Sequence, residues 1–509
     1  MTVSAPPPAS SAPSAPDGRP EAGSKGLRKG ALGLLASVVI GIASTAPAYS
    51  LAASLGYVSG EVGVKAPLIM LLAFVPILFI SYAFKALNSR IPDCGTNFTW
   101  GARAFGPHTG WMSGWAAIVA QIIVLANLAQ IAGIYTFLIF GLDGLADNVL
   151  AVAGVGTVWL IAMTYVAYRG IELSAKLQMA LLAIEMVVLL IFAVLAFGAV
   201  FTDNAAEGSE PISLSWFNPF QDLTWSALSA GVLVAIFAYW GWDTAVSTNE
   251  ETENSTVTPG RSAVISTLLL VTTYVLVTMA AVAYAGVGTE GVGLNNPESV
   301  DDPLSPISEA VFGHTFGKIL LLAVISSAAA SAQTTILPAA RSSLSMAVNK
   351  ALPDRFAHVH PRFQTPSFST WTVGIVATIF FVLLSTLNEG VLLTDVIGAL
   401  GFLIAFYYGT TGLASAWFFR KEAGTPKEML QKIVLPLIGG LLLFAAFFTT
   451  GYNLYTGESE TNLFGVAGAF VMGIGSLLLG IVFMVVWNIL RPAYFRGEYV
   501  PGSEVEAQP

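Results

Sequence analysis

The chain has 509 residues, 55% hydrophobic and 10% charged, with a mean hydropathy of +0.72 and a formal net charge of −9. Soluble domains carry about 25% charged residues, so this composition excludes an ordinary water-soluble fold and places the chain in the membrane class. A lone cysteine, Cys94, excludes an intramolecular disulfide framework and a zinc-cluster reading. The first predicted segment, residues 1–29, is rich in Ala, Pro and Ser and has no apolar core. It reads as a disordered cytoplasmic tail and not as a cleavable signal, which leaves the first membrane helix as its own insertion signal.

Twelve apolar spans follow, near 31–57, 66–87, 111–140, 149–168, 174–201, 226–248, 262–286, 316–347, 370–387, 393–418, 432–452 and 464–489. Each is close to the roughly 20 residues that cross about 30 Å of hydrocarbon. No dyad alternation runs through them, which argues against a barrel. Basic residues cluster in alternate loops: Arg28 and Lys29, then Lys85 and Arg90, then Arg341, Lys350, Arg355 and Arg362, then Arg420 to Lys432, and finally Arg491 and Arg496. The opposite loops are acidic, with Glu290, Glu298, Asp301 and Asp302, and then Glu458 and Glu460. The excess of Lys and Arg on one side places both termini in the cytoplasm of a multi-pass plasma (inner) membrane protein. Residues 491–509 read as a second short cytoplasmic tail.

Two spans are interrupted. Span 1 carries Gly41-Ile42-Ala43-Ser44-Thr45-Ala46-Pro47, where a proline removes a backbone donor and a glycine weakens the helix. Span 6 carries Phe237-Ala238-Tyr239-Trp240-Gly241-Trp242-Asp243, a glycine among bulky aromatics followed by an intramembrane carboxylate. The two stand at corresponding places if the first ten spans form halves of five, 30–201 and 226–418, with two further helices in 432–490. Paired breaks of this kind point to a transport site at the membrane midplane. Unwound backbone offers N–H groups to a carboxylate and C=O groups to an ammonium, as a zwitterionic amino acid requires. Gly and Pro are also ordinary in membrane helices, and the break in span 1 taken alone is equally a simple kink.

These two stretches, together with Glu250-Glu251 and Pro259-Gly260-Arg261, resemble the amino acid–polyamine–organocation permease family. So does the loop after span 8, Arg341-Ser342 through Met346-Ala347, Leu352-Pro353, Val359-His360-Pro361 and Thr365-Pro366. Pro92, Gly95, Ala104-Phe105-Gly106-Pro107 and Gly114-Trp115 match the family's loop into span 3. The resemblance covers residues 30–490. It implies an all-α membrane protein of twelve transmembrane helices, with the inverted five-plus-five repeat of the bacterial leucine transporter, broken helices 1 and 6, and two extra helices.

By position, the resemblance implies that Ile42 and the backbone of Ala43, Ser44, Thr45 and Ala46 line the substrate's carboxylate. Phe237 would be the aromatic lid, and the amino group would meet carbonyls around Phe237, Ala238, Tyr239 and Trp240. Asp243 falls where related antiporters of arginine and polyamines carry a glutamate, and reads as a gate or substrate sensor. The family's usual Gly-small-Gly in span 1 is here Ala43-Ser44-Thr45, a departure that bears on pocket size.

Span 5 holds one more intramembrane acid, Glu185, in LLAIEMVVLL. Three readings compete: a proton carrier, a hydrogen-bonded strut to span 1 or 8, and a sodium ligand with Ser326, Ser327 or Ser331 as partners. Proton coupling is the expectation. Glu250 and Glu251 read as a solvated helix end, with membership of an inner gate as the alternative, and Gln333 and Asn127 as hydrogen-bond glue between helices.

The expected function is a secondary active transporter that imports an amino acid or related amine by proton symport with alternating access. An amino acid/amine exchanger would use the same site, and a non-transporting nutrient sensor is the alternative of another class. An enzyme is not expected, since no paired carboxylates or Ser/His arrangement converge in the spans. The expected partners are the small-molecule substrate, a proton and the lipid bilayer, with no cofactor, metal or nucleic acid.

Overall fold

The computed structural model describes residues 25–313, 317–387, 395–456, 461–463 and 465–503. Residues 1–24 and 504–509 of the two expected tails, Glu458, Glu460, and the first residues of the spans expected from 316, 393 and 464 lie outside the described residues.

The chain is helical, as its long apolar runs dictate. In order the helices are α1 (Leu34–Ser44), α2 (Pro47–Val62), α3 (Ala66–Arg90), α4 (Asn97–Phe105), α5 (Pro107–Ile139), α6 (Asp143–Ala146), α7 (Val149–Arg169), α8 (Ile171–Phe201) and α9 (Trp225–Ala238). There follow α10 (Thr244–Ser247), α11 (Thr258–Ala285), α12 (Leu304–Phe312), α13 (Lys318–Val348), α14 (Ser367–Thr386), α15 (Asp395–Phe419), α16 (Pro426–Met429), α17 (Leu435–Thr456) and α18 (Gly468–Leu490). Among the described residues, strand pairing is confined to the antiparallel couple Asn462–Leu463 and Val466–Ala467 and a single bridge from Leu32 to Thr252.

Among the described residues, ten helical runs are long and apolar enough to cross a membrane. The first, Leu34–Arg90, is 57 residues long, while Trp225–Ala238 is a shorter apolar helix. Helix α13 is the hub: 89% of its apolar window is buried, against 22% for the last two helices, which pack on the outside. Helices α5, α8 and α1 surround α13; α11 lies on α3; and α15 bridges α5 to α17 and α18. Polar side chains stitch the hub. Gln178 of α8 donates to Gln333 of α13 at 2.6 Å, and Gln333 donates to Ser174 at 2.8 Å. Such bonds join membrane helices where apolar contact gives no preference for protein over lipid.

Both described chain ends lie at one end of the bundle. Lys25 is bound to Asp93, which Ser345 near the end of α13 also contacts. Tyr494 packs with Phe98, Trp111, Met346 and Ala351 and donates to the Pro107 carbonyl at 2.8 Å. The two segments expected as tails are therefore partly fixed: Lys25, Leu27, Tyr494 and Phe495 are buried.

Candidate functional site

The first break is a two-residue reversal. Thr45 turns its N–H to the Ile42 carbonyl at 3.0 Å, and Ala46 turns its own to Ala43 at 3.2 Å. Ala46 then takes φ 49°, ψ 66°, a left-handed conformation that costs a residue with a β-carbon about 1 kcal/mol or more. Pro47 opens α2 at its first position, where its fixed φ suits the helix and its missing N–H removes no bond. In the second break, α9 ends at Ala238 and Gly241 sits at φ 116°, a backbone shape open to glycine. A β-carbon there would run into the Ser44 carbonyl, so the two breaks meet backbone to backbone. Ser44 and Thr244 share a hydroxyl hydrogen bond at 2.7 Å across this contact. Two neighbouring helices also hold the breaks: Ser331 of α13 donates to the Ser44 carbonyl at 2.9 Å, and Tyr274 of α11 to the Ala238 carbonyl at 2.7 Å.

Glu185 enters from α8 and seats on the start of α2. Its Oε1 accepts from the Ala48 N–H at 2.7 Å and from the Ser327 hydroxyl at 2.7 Å. The Tyr49 N–H reaches Ser327 at 3.4 Å. The other oxygen, Oε2, is buried with no hydrogen-bond partner among the described residues. A helix N-terminus suits an anion, and an unbonded buried oxygen is costly. The arrangement accommodates both protonation states: Oε1 serves the helix end, and Oε2 is open to a proton. Ser326 and Ser331, also weighed as partners, bond elsewhere, to the carbonyls of Ala323 and Ser44.

Asp243 closes the second break. Its Oδ1 accepts from the Tyr408 hydroxyl of α15 at 2.9 Å. Trp242, Tyr408, Phe84 and Trp100 form a tilted and edge-to-face ring stack, with centroids 5.0 to 5.6 Å apart. Trp240 bonds the Tyr407 hydroxyl, which tethers the same turn to α15. Phe237 and Ala238 are buried at the end of α9. Tyr239 points away from the breaks, donating to the Met70 carbonyl of α3 at 2.9 Å and stacking on Tyr274. The structure thus brings together Ile42–Ala46, Ala238, Gly241 and Glu185, while Tyr239 supports the turn from behind. Tyr407 and Tyr408 were not singled out by sequence reasoning, although two adjacent tyrosines inside an apolar span carry hydroxyls that need partners.

Polar contacts join separate segments at both ends of the bundle. At the end that carries the described chain ends, the Lys25 ammonium pairs with Asp93 and, at 2.7 Å, with Glu250. Glu250 also accepts from the Cys94 N–H at 2.9 Å. Arg341 of α13 is buried against Glu251. Glu250 and Glu251 are therefore bound pairs and not the solvated helix end that the sequence suggested. Burial alone would push the Asp93 carboxyl up, but the Lys25 ammonium beside it, with the Thr99 and Ser345 hydroxyls, holds it below the usual carboxylate range. Asp93, Cys94 and Glu250 have the spacing of a metal site, yet Lys25 already supplies their positive charge. At the opposite end Tyr57 bonds Asp301, Tyr135 bonds Asp302, and the Val300 backbone lies directly on Gly56.

The family described as "Amino acid permease" matches residues 31–494. An uncharacterized transporter of Mycobacterium tuberculosis is 27% identical, covering 88% of this chain and 90% of its own. A low-affinity putrescine importer of Escherichia coli is 22% identical over 82% of this chain and 88% of its own. A branched-chain amino acid permease of Lactococcus lactis is 23% identical over 79% and 86%.

Proposed function

The chain belongs to the amino acid permease family, and we propose that it imports an amino acid or related amine across the plasma membrane by proton symport. The observation that carries this reading is Glu185, a fully buried carboxylate that joins α8, the start of α2 and Ser327 of α13 beside the paired breaks. Loading a proton on Oε2 weakens the hold of Oε1 on Ala48, and α2 is then free to move relative to α8 and α13. In this reading Ala43–Ala46 meet the substrate's carboxylate, Phe237 is the lid, and Asp243 with Tyr408 is a gate. The Lys25–Asp93–Glu250 cluster and the Tyr57–Asp301 contact are the inner and outer closures of alternating access.

Twelve crossings in two inverted halves of five plus two belong to the same proposal. A run of 57 residues is more than twice the roughly 20 residues of one crossing, and with its break at Thr45–Ala46 and its turn at Gly63–Lys65 this supports two spans in Leu34–Arg90. Chain ends at one end of the bundle support an even count, and the basic loops there support a cytoplasmic side. The deciding experiment is uptake by the purified protein in liposomes, across a panel of amino acids and amines, under imposed pH or sodium gradients. Accumulation driven by a sodium gradient and indifferent to pH would overturn the proton reading.

A second reading, exchange of amines, draws on the backbone donors. The N–H groups of Thr45, Ala46, Ala48 and Tyr49 are all engaged within the protein, whereas Asp243 places an acid in an aromatic setting suited to a cation. Asp243→Asn separates the two. Selective loss of amine transport supports the exchanger, and equal retention of every substrate removes Asp243 from recognition.

A further inference from the structure

A cavity lined by none of the break residues lies at the end of the bundle that carries the described chain ends. It encloses about 630 Å³ between the end of α13, the turn after it and the segment that follows α18. Four cationic side chains line it: Lys350, Arg355, Arg491 and Arg496. Two acids share it, Asp354 and Glu498. Lys350 is engaged with Asp354 at 2.8 Å. Among the described residues the guanidinium groups of Arg355, Arg491 and Arg496 make no direct hydrogen bond or ion pair; Arg491 acts on Asp354 only at longer range, and four cations face two acids across one space.

These arginines are not carried on a loose tail. Arg491 and Arg496 flank Tyr494 and Phe495, which are buried against α4, α5 and the end of α13. Trp487, which also lines the cavity, donates its indole N–H to the Lys350 carbonyl at 3.0 Å and ties α18 to the α13 end. Basic residues at helix C-termini often serve only to offset the helix dipole. Here no guanidinium bonds a terminal carbonyl, and the three converge from two separate segments. Directly beside the cavity, Ile489 and Leu490 are 75% and 65% exposed, on a helix whose outer face is apolar throughout. A ligand that fits has an anionic, multidentate oxygen group at the arginines and an apolar body along α18.

We propose that this cavity binds the phosphate headgroup of an anionic phospholipid, with the acyl chains laid along α18. Arginine's planar fork matches phosphate oxygens in pairs, and basic pockets between membrane helices are suited to such headgroups. The inference is independent of the transported substrate.

The test uses full-length protein purified from membranes containing phosphatidylcholine with or without phosphatidylglycerol. Co-purified lipid is measured by mass spectrometry, and thermal stability is measured in both. Wild type should retain phosphatidylglycerol and melt higher with it. Arg491→Gln with Arg496→Gln should retain about tenfold less or lower, whereas Lys176→Gln with Arg261→Gln, exposed basic residues outside the cavity, should match wild type. Arg491→Lys with Arg496→Lys keeps the charge and should recover much of the retention, which separates lost binding from a damaged fold. Equal retention by the Gln pair and wild type overturns the proposal. Inorganic phosphate is added to wild type in neutral lipid as a separate arm. If it stabilises the protein as phosphatidylglycerol does, and the Gln pair abolishes the effect, the ligand is a soluble anion and the lipid assignment fails.

Discussion

Glu185 shows how much depends on a single oxygen. Glu185→Gln preserves shape and leaves an amide oxygen for Ala48 and Ser327, but it cannot load a proton. Uptake driven by a pH gradient should vanish, while counterflow of substrate at equal pH persists. Undiminished pH-driven accumulation by that variant would remove Glu185 from coupling. Gly241 is the matching backbone case. Gly241→Ala forces a β-carbon into φ 116° and toward the Ser44 carbonyl, a strain of about 1–3 kcal/mol before any clash. Transport should fall sharply even though no side chain has been removed, and normal turnover by this variant would mean the breaks do not need their direct contact. Glu185, Gly241 and the Gly41–Pro47 break were all legible in the sequence, because an acid or a proline inside an apolar run stands out locally. Tyr408 was missed, and Ser327 was one of three candidate hydroxyls, since which hydroxyl meets which carboxylate is decided by the packing of helices distant in sequence.

At the scale of elements, the segment before α1 behaves as part of the fold. Lys25, Leu27 and Leu32 lie across the ends of α3, α10 and α13. Lys25→Ala strips the charge partner from a buried Asp93, which costs the closed arrangement about 3–5 kcal/mol. Cys94 reports this directly, because it is buried beneath Lys25 and burial, with Glu250 nearby, pushes its thiol up and suppresses its reactivity. A membrane-impermeant thiol reagent should label Cys94 slowly in wild type and at least about tenfold faster in the variant; equal rates would show that Lys25 does not hold this end shut. The pH dependence has a definite sign. The depressed Asp93 carboxyl contributes stability that is complete above the ordinary carboxylate range and is lost only as pH falls through its lowered value. Cys94 protection should therefore be flat from neutral pH down to about pH 5, so a transport rate that changes between those limits draws its proton dependence from elsewhere. Residues 1–29 read as a tail because their composition is poor in apolar residues; the one that matters, Leu27, gains its role from a surface formed by other helices.

For the whole molecule, the sequence foretold helical spans, basic loops and a family, while the way the ends close depended on contacts between distant segments. The bridge between Leu32 and the strand-like stretch at Thr252 has a mechanical consequence. Leu32 donates to the Glu251 carbonyl at 3.1 Å and accepts from the Glu253 N–H at 2.9 Å, so the approach to α1 and the exit from α10 are yoked. Neither half-helix can tilt at this end without pulling the other, and the pair should swing as a single lever on the hub α13. Spin labels at Lys29 and Asn254, both exposed, should keep a constant separation through the transport cycle while each changes its distance to a label on α14. Independent movement of the two labels would break the yoke. If it holds, a proton arriving at Glu185 beside α2 and a substrate touching the turn before α10 load opposite arms of the same lever, so neither ligand can work the closure without the other feeling the torque.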